Sequence, residues 1–262
     1  MNTEQMAKLS AAVQQKASPE EWQARLDLAA AYRLIASYGW DDLIYTHISA
    51  RVPGTEDEFF INPFGLMFDE VSASSLVKIN GKGDKVDDSP FPVNPAGFTI
   101  HSAIHQGRHD AACVIHLHTI AGTAVATDPR GLLPLNQTAM LVRDDIAYHD
   151  FEGVAVDLDE RPRLQQDLGD KNIMLLRNHG TLVLGETVAE AFMRIYFIER
   201  ACEMQVATLS SSGGEFYRAT DDVQEKVAAQ GRDAEIARQS ANLLAWPALL
   251  RRLDRIDPSY KN

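Results

Sequence analysis

The sequence has only two cysteines in 262 residues, Cys113 and Cys202, far apart and each in apolar surroundings. A disulfide framework is excluded, and reduced, buried thiols are expected. No apolar run approaches the ~18 residues that a membrane helix requires. The opening residues Met1-Asn2-Thr3-Glu4-Gln5 lack a basic segment followed by an apolar one, so export is not expected and the compartment reads as cytoplasmic. Positive charge is also in deficit. The formal net charge is −12, with no local cluster of Lys and Arg to offset it, which argues against nucleic acid and anionic membrane as partners. Low-complexity tracts, interdomain linkers and internal repeats are missing as well, so nothing divides the chain. What remains is an ordinary globular composition, 45% apolar, which is enough to bury a large core.

Within that composition the elements are marked by their punctuation. Ser18-Pro19-Glu20-Glu21 reads as a capping box with proline at the first helical position, ahead of the periodic run Trp22, Leu26, Ala29 and Leu34, and Gly39 ends the helix. Ile44 to Val52 and Glu58 to Asn62 read as antiparallel strands separated by the Pro53-Gly54 turn. Phe98 to Gly107 has helical spacing, with His101 and His105 on one face. Ala112 to Ile120 reads as a strand whose alternation puts Val114, His116, His118 and Ile120 together. A further strand, Ile173 to Arg177, turns at Asn178-His179-Gly180 and returns as Thr181 to Leu184. Thr187-Val188-Ala189-Glu190 opens a long amphipathic helix, Ser210 to Gly214 is a flexible stretch, and a leucine-rich helical tail follows, interrupted at Pro247. Strands interleaved with helices give an α/β sandwich around one sheet.

The chemistry concentrates in histidine. An H-x-H pair on a strand presents two imidazoles to one ion, because alternate side chains share a face. His116 and His118 form such a pair, and His179, freed to project by the glycine after it, is the candidate third ligand. Three neutral imidazoles leave coordination positions open, as a catalytic zinc requires. The rival pair is His101 and His105, at i and i+4 on a helix, but the glutamate of an H-E-x-x-H metal site is absent between them. One of these rings could instead orient a metal ligand, or both could simply pack.

In their order and separation, several segments resemble the class II aldolase and adducin head family, in particular its adducin-type bacterial branch. They are Thr46-His47-Ile48-Ser49-Ala50-Arg51, Asn62-Pro63-Phe64-Gly65, Asn94 to His105, His116-Leu117-His118-Thr119, and Asn178-His179-Gly180-Thr181. The resemblance runs from about Trp22 to about Gln205. It implies one domain over residues 1–262, with a core at about 22–209 and a helical tail at about 215–262. The implied fold is a three-layer α/β/α sandwich with a mixed, largely antiparallel central sheet. The implied assembly is a homotetramer with sites at subunit interfaces. The family's metal ligands fall on His116, His118 and His179, which implies one divalent ion, Zn²⁺ first, with Mn²⁺ or Co²⁺ as alternatives.

The departures from the family pattern bear on the reaction. Its sugar-phosphate aldolases carry Asn in place of His47, Ser in place of Phe64, and Ser-Ser-Glu in place of Pro95-Ala96-Gly97. Hydroxyl donors for a phosphate are thus lost, and the acid/base glutamate is replaced by Gly97, which can transfer no proton. Tyr148 and His47 rank first as replacement catalytic groups, ahead of His149 and His101. Asn62, Phe64 and Asn178 are the substrate-binding candidates, although both asparagines also suit turns and Tyr148 suits a core. Arg51 could hold a carboxylate or lie at the surface beside Pro53-Gly54. The expected function is a metal-dependent carbon–carbon lyase of retro-aldol type, acting through a metal-stabilised enolate on a small, non-phosphorylated hydroxy-carbonyl compound. The same intermediate would serve a decarboxylase of a keto or hydroxyaromatic acid, or a sugar-phosphate aldolase or epimerase. An adducin-like binding module without catalysis is the reading from another class, and retention of all three histidines favours the enzyme.

Overall fold

The structure is a computed structural model that describes residues 3–155, 157–213 and 215–262, with backbone alone at residues 3 and 95–98. Its strands are β1 (His47–Arg51), β2 (Glu58–Ile61), β3 (Val77–Asn80), β4 (Cys113–Leu117), β5 (Ile146–His149), β6 (Ile173–Leu176) and β7 (Gly180–Gly185). Its helices are α1 (Thr3–Lys16), α2 (Pro19–Tyr38), α3 (Pro95–Gly107), α4 (Ile120–Thr127) and α5 (Gln137–Val142). Then follow α6 (Arg161–Leu168), α7 (Val188–Ser211), α8 (Asp221–Gly231), α9 (Ala234–Gln239) and α10 (Trp246–Ile256).

The strands form one sheet in the order β3-β2-β1-β4-β7-β6-β5, antiparallel at every pairing except β5 with β6. Side-chain alternation then loads both faces. Ile48, Ile115, Leu175 and Val183 point to one side and pack with Leu28 of α2, Phe192 and Ile195 of α7, and Trp246 and Leu253 of α10. Val114, Met174, Leu176 and Leu182 point to the other and meet Ile100 and Ile104 of α3 and Leu164 and Leu168 of α6. Helices on both faces of a mixed, largely antiparallel sheet make the three-layer α/β/α sandwich.

The punctuation works as its chemistry dictates, with one variation. Ser18 Oγ accepts from Glu21 N–H at 3.1 Å, Pro19 sits in the first helical turn, and Gly39 closes α2 in the left-handed conformation at φ 69°. Thr187 Oγ1 likewise accepts from Glu190 N–H at 3.1 Å. The two glutamates, however, bond to side chains rather than back to the caps. Glu21 takes Arg25 and Lys78, and Glu190 takes Asn242.

The strand read as Ala112 to Ile120 needs correction. β4 ends at Leu117, because Thr119 Oγ1 accepts from Gly122 N–H at 2.9 Å and caps α4. Ile120 is therefore the first residue of a helix and 90% exposed, and His118 stands just beyond the strand. In the tail, a π-helical turn over Ser240–Ala245 leads into α10, with Pro247 in its first turn where a missing N–H costs nothing. Trp246, Leu253 and Tyr260 are buried, so the tail belongs to the core that it covers. The stretch Ser210 to Gly214 ends α7, and Gly214 lies outside the described residues. No described helix is long and apolar enough to cross a membrane.

Candidate metal centre

Three strand ends meet in the middle of the sheet, where β1, β4 and β7 lie side by side. His47 opens β1 and pairs in register with His116 of β4, which pairs with Leu182 of β7. His179 precedes β7, and Gly180 lets the strand pass close to its neighbour. A Cβ on Gly180 would stand 2.2 Å from Leu117 O and 3.3 Å from the His118 ring, so any larger residue would push β7 off the histidine pair. Thr46, at φ 66°, and Asn178, at φ 56°, are two of only three non-glycine residues with positive φ among those described, and each directly precedes a site histidine. Such conformations cost of order 1–3 kcal/mol apiece and persist where the surroundings enforce them.

Ring nitrogens of His116, His118 and His179 all lie within 4.8 Å of one another. Their partners determine where the protons must be. His116 Nδ1 lies 3.0 Å from the Thr181 carbonyl and His118 Nδ1 lies 3.1 Å from Asp42 Oδ2, and both oxygens can only accept. Each ring therefore donates from Nδ1, and each Nε2 carries a lone pair in the neutral state. Yet those two Nε2 atoms are 3.0 Å apart. A proton between them would make one ring an imidazolium. Burial, then the neighbouring His179 and His118, hold His116 well below the usual imidazole range, and burial with His118 and His149 pushes His179 down to about 4. Two converging lone pairs with a third imidazole beside them fit a divalent ion, and Thr181 and Asp42 are the outer partners that orient such ligands.

A second group of imidazoles lies beside the first. Ser49 Oγ stands 2.6 Å from His101 Nδ1 and 2.7 Å from His105 Nε2, and His105 Nδ1 donates to Ala111 O at 2.8 Å. His105 must then accept from Ser49, and Ser49 must accept from His101. The His101 and His105 pair is thus bridged by a hydroxyl. Burial pushes both down to about 3, so both stay neutral. Arg51, read as a possible carboxylate partner, donates to the carbonyls of Glu56 and His105.

The other candidate residues separate. His47 is buried, receives Asn94 Nδ2 at 3.3 Å on Nε2, and has no partner at Nδ1. Asn62 Oδ1 accepts from the Tyr32 hydroxyl at 3.0 Å, which turns Nδ2 away from that bond, buried and without a partner. Tyr32 also bonds both Ile48 N–H and Ile48 O, so it fixes Asn62 beside the residue next to His47. Phe64 is half-buried, and Asn178 is exposed in its left-handed turn. Tyr148 has a different role from the expected one. Its hydroxyl accepts from Leu132 N–H at 3.1 Å and Arg177 stacks on its ring at 4.3 Å, with no bond or ring contact to the three histidines among the described residues. His149 is clamped between Asp167 at 2.7 Å and Glu160 at 3.3 Å. Gly97 falls in α3 among the residues described by backbone alone. A cleft of about 280 Å³ between α4 and α7, lined by residues such as Ala124, Gln205 and Leu209, holds none of these groups.

Two outer partners, Asp42 and Glu199, escaped the sequence reading. Glu199 of α7 is fully buried, and it accepts from Thr181 Oγ1 at 2.5 Å and from Thr119 Oγ1. Burial pushes its carboxyl up to about 7. The capping threonine after His-x-His, Thr119, was the one visible signal, and it points to Glu199.

Residues 26–206 match the family described as Class II Aldolase and Adducin N-terminal domain. A Pseudomonas aeruginosa protein provisionally named an aldolase class 2 protein is 51% identical over 97% of each chain. Mouse alpha-adducin is 49% identical over 72% of this chain, which spans about a quarter (26%) of that protein. Among solved structures, an aldolase II superfamily protein from Pseudomonas syringae is 46% identical over 95% of this chain and 99% of its own, with a TM-score of 0.87. L-fuculose 1-phosphate aldolase from Glaciozyma antarctica, 23% identical over 98% and 99%, shares the fold with a TM-score of 0.79.

Proposed function

The chain belongs to the class II aldolase and adducin N-terminal domain family, and from that premise we propose that it is a divalent-metal-dependent carbon–carbon lyase of retro-aldol type. One observation carries the reading. The Nε2 atoms of His116 and His118 converge to 3.0 Å while both Nδ1 positions are committed to acceptors, which aims two lone pairs at the place a divalent cation would take. Zn²⁺ suits three imidazoles, and Mn²⁺ or Co²⁺ would be accepted. Bound there, such an ion supplies Lewis-acid polarisation of a carbonyl and an adjacent oxygen.

The chain's own residues then bind and orient. His47 Nδ1 and Asn62 Nδ2 are buried donors without partners, which supports giving them substrate oxygens to bind, with half-buried Phe64 following on the same segment. Asn178 holds the turn that presents His179. Both free donors are neutral, and Arg51 is already spent on two carbonyls. A small hydroxy-carbonyl compound without phosphate fits this set better than a sugar phosphate. With no carboxylate at Gly97, we assign proton transfer to His47. The apolar side chains Leu43, Tyr45, Ile120 and Phe151 are exposed close to the three histidines in space or sequence, which supports a homotetramer with sites closed at subunit interfaces.

A panel of hydroxy-carbonyl and hydroxy-acid compounds, assayed beside fuculose, ribulose and rhamnulose phosphates, tests the reading. Aldehyde release from an unphosphorylated compound is expected. Turnover confined to the sugar phosphates contradicts the substrate class, and CO₂ without aldehyde makes the protein a decarboxylase. Light scattering checks the assembly, which a monomer at micromolar concentration would refute.

A further inference from the structure

We propose that Glu199 is a positioning residue for the metal centre: its carboxylate ties the chain just past His118 to the chain just past His179, and so sets how closely the three imidazoles converge. This rests on the metal-centre reading above. Thr119 follows His118 directly, and Thr181 lies two residues after His179; their hydroxyls take one carboxylate oxygen each. The circuit closes through the backbone, because the Thr181 carbonyl that follows in the same residue accepts from His116 Nδ1. Thr123 Oγ1, from the helix that Thr119 caps, adds a bond to His179 O at 3.1 Å. A single side chain on α7 thus reaches all three ligands, each at one remove.

The direction of the protons supports a charged role. Thr119 Oγ1 already accepts from Gly122 N–H, which leaves its own proton for Glu199, and Thr181 donates as well. Two donated hydroxyls suit an ionised carboxylate. The group is completely buried, and among the described residues no Lys or Arg pairs with it, so the two hydroxyls are the partners that hold it in place. Space is equally tight. A Cβ at Gly122 would lie 2.7 Å from both Thr119 Oγ1 and Thr181 Cγ2 and 3.1 Å from Glu199 Oε1, so the clamp admits no adjustment on that side. A group that served packing alone would need neither the donors nor the alignment with both ligand segments.

The test compares metal affinity in the full-length protein, measured by chelator competition with Zn²⁺, together with the visible spectrum of the Co²⁺-loaded form. Glu199→Gln keeps the size and one acceptor oxygen. It is expected to weaken Zn²⁺ binding about 10-fold or more, the usual effect of losing an outer partner, and to shift the Co²⁺ bands while the metal-free protein melts close to wild type. Thr181→Val should weaken binding in the same direction, Thr181→Ser should restore it, and the Glu199→Gln and Thr181→Val losses should not add. If Glu199→Gln does not fold, the two Thr181 variants decide alone. Variants that bind Zn²⁺ as wild type does, with unchanged Co²⁺ spectra, overturn the proposal and leave the metal centre standing. A wild-type protein that binds neither ion overturns both.

Discussion

Two groups of imidazoles lie side by side at the central strands of the sheet, and they differ in how the rings are joined. Between His101 and His105 there is a hydroxyl, Ser49, which gives one proton and takes another, so that pair is internally satisfied apart from His101 Nε2. The Nε2 atoms of His116 and His118 instead face each other directly at 3.0 Å. Spacing alone does not separate the groups, since i, i+4 on a helix and H-x-H on a strand are both chelating patterns. Proton accounting does. The Nδ1 atoms of His116 and His118 turn to outside acceptors, which leaves their converging Nε2 atoms to serve a metal.

The comparison breaks most severely at a ligand. His179→Ala should weaken Zn²⁺ binding by about two orders of magnitude or more, while His105→Ala should keep about one ion per chain, because only the first removes a converging donor. Elemental analysis after gel filtration reads both. If His105→Ala also empties the protein, the second group is part of the centre.

Next in size is the hydroxyl itself. Ser49→Ala leaves His101 Nδ1 and His105 Nε2 buried without partners, at about 1–3 kcal/mol for each unsatisfied group, so the melting temperature should fall while metal content holds. Calorimetry on the loaded protein checks it; an unaltered melting temperature would mean that the hydroxyl does not bridge the rings.

Acid sharpens the same contrast. His101 and His105 are pushed down to about 3 by burial, whereas an unfolded imidazole titrates near 6.5, so between those values the unfolded chain binds protons that the folded one refuses. Their contribution is fully present above about pH 6.5 and is lost as pH falls from there toward about 3. In chelator-treated protein, the double variant His101→Asn and His105→Asn should show a shallower loss of stability across that window. An identical slope would show that the pair is not held neutral.

The smallest effect is expected at Tyr148. With its hydroxyl engaged by Leu132 N–H, Tyr148→Phe should cost about 1 kcal/mol of stability and leave turnover within a few-fold of wild type. A loss of turnover by orders of magnitude, with normal stability, would return Tyr148 to the reaction.

Much of this arrangement is legible in the chain because it is local. Ser18, Gly39 and Thr187 announce their helix ends within four residues, and alternation places His116 on the correct face of β4. Where β4 ends is harder, since Thr119 reads equally well as the next strand residue until its hydroxyl is seen capping α4. The partners that orient the site are harder still. Asp42 is 76 residues from His118, Glu199 is 80 from Thr119, and Ser49 is 52 from His101. No local pattern links such residues; only the sheet order brings them together. Tyr148 misleads for the converse reason, because it sits in a segment rich in polar groups and only the fold turns its hydroxyl toward Leu132.

The central claim is that His116, His118 and His179 hold one divalent ion. The most direct measurement is the metal content of protein purified without chelators, followed by titration of the stripped protein with Zn²⁺. About one equivalent per chain is predicted in both, falling to none in His118→Ala. Native protein that carries no metal and takes up no Zn²⁺, Co²⁺ or Mn²⁺ would contradict the account and leave a binding module in place of an enzyme.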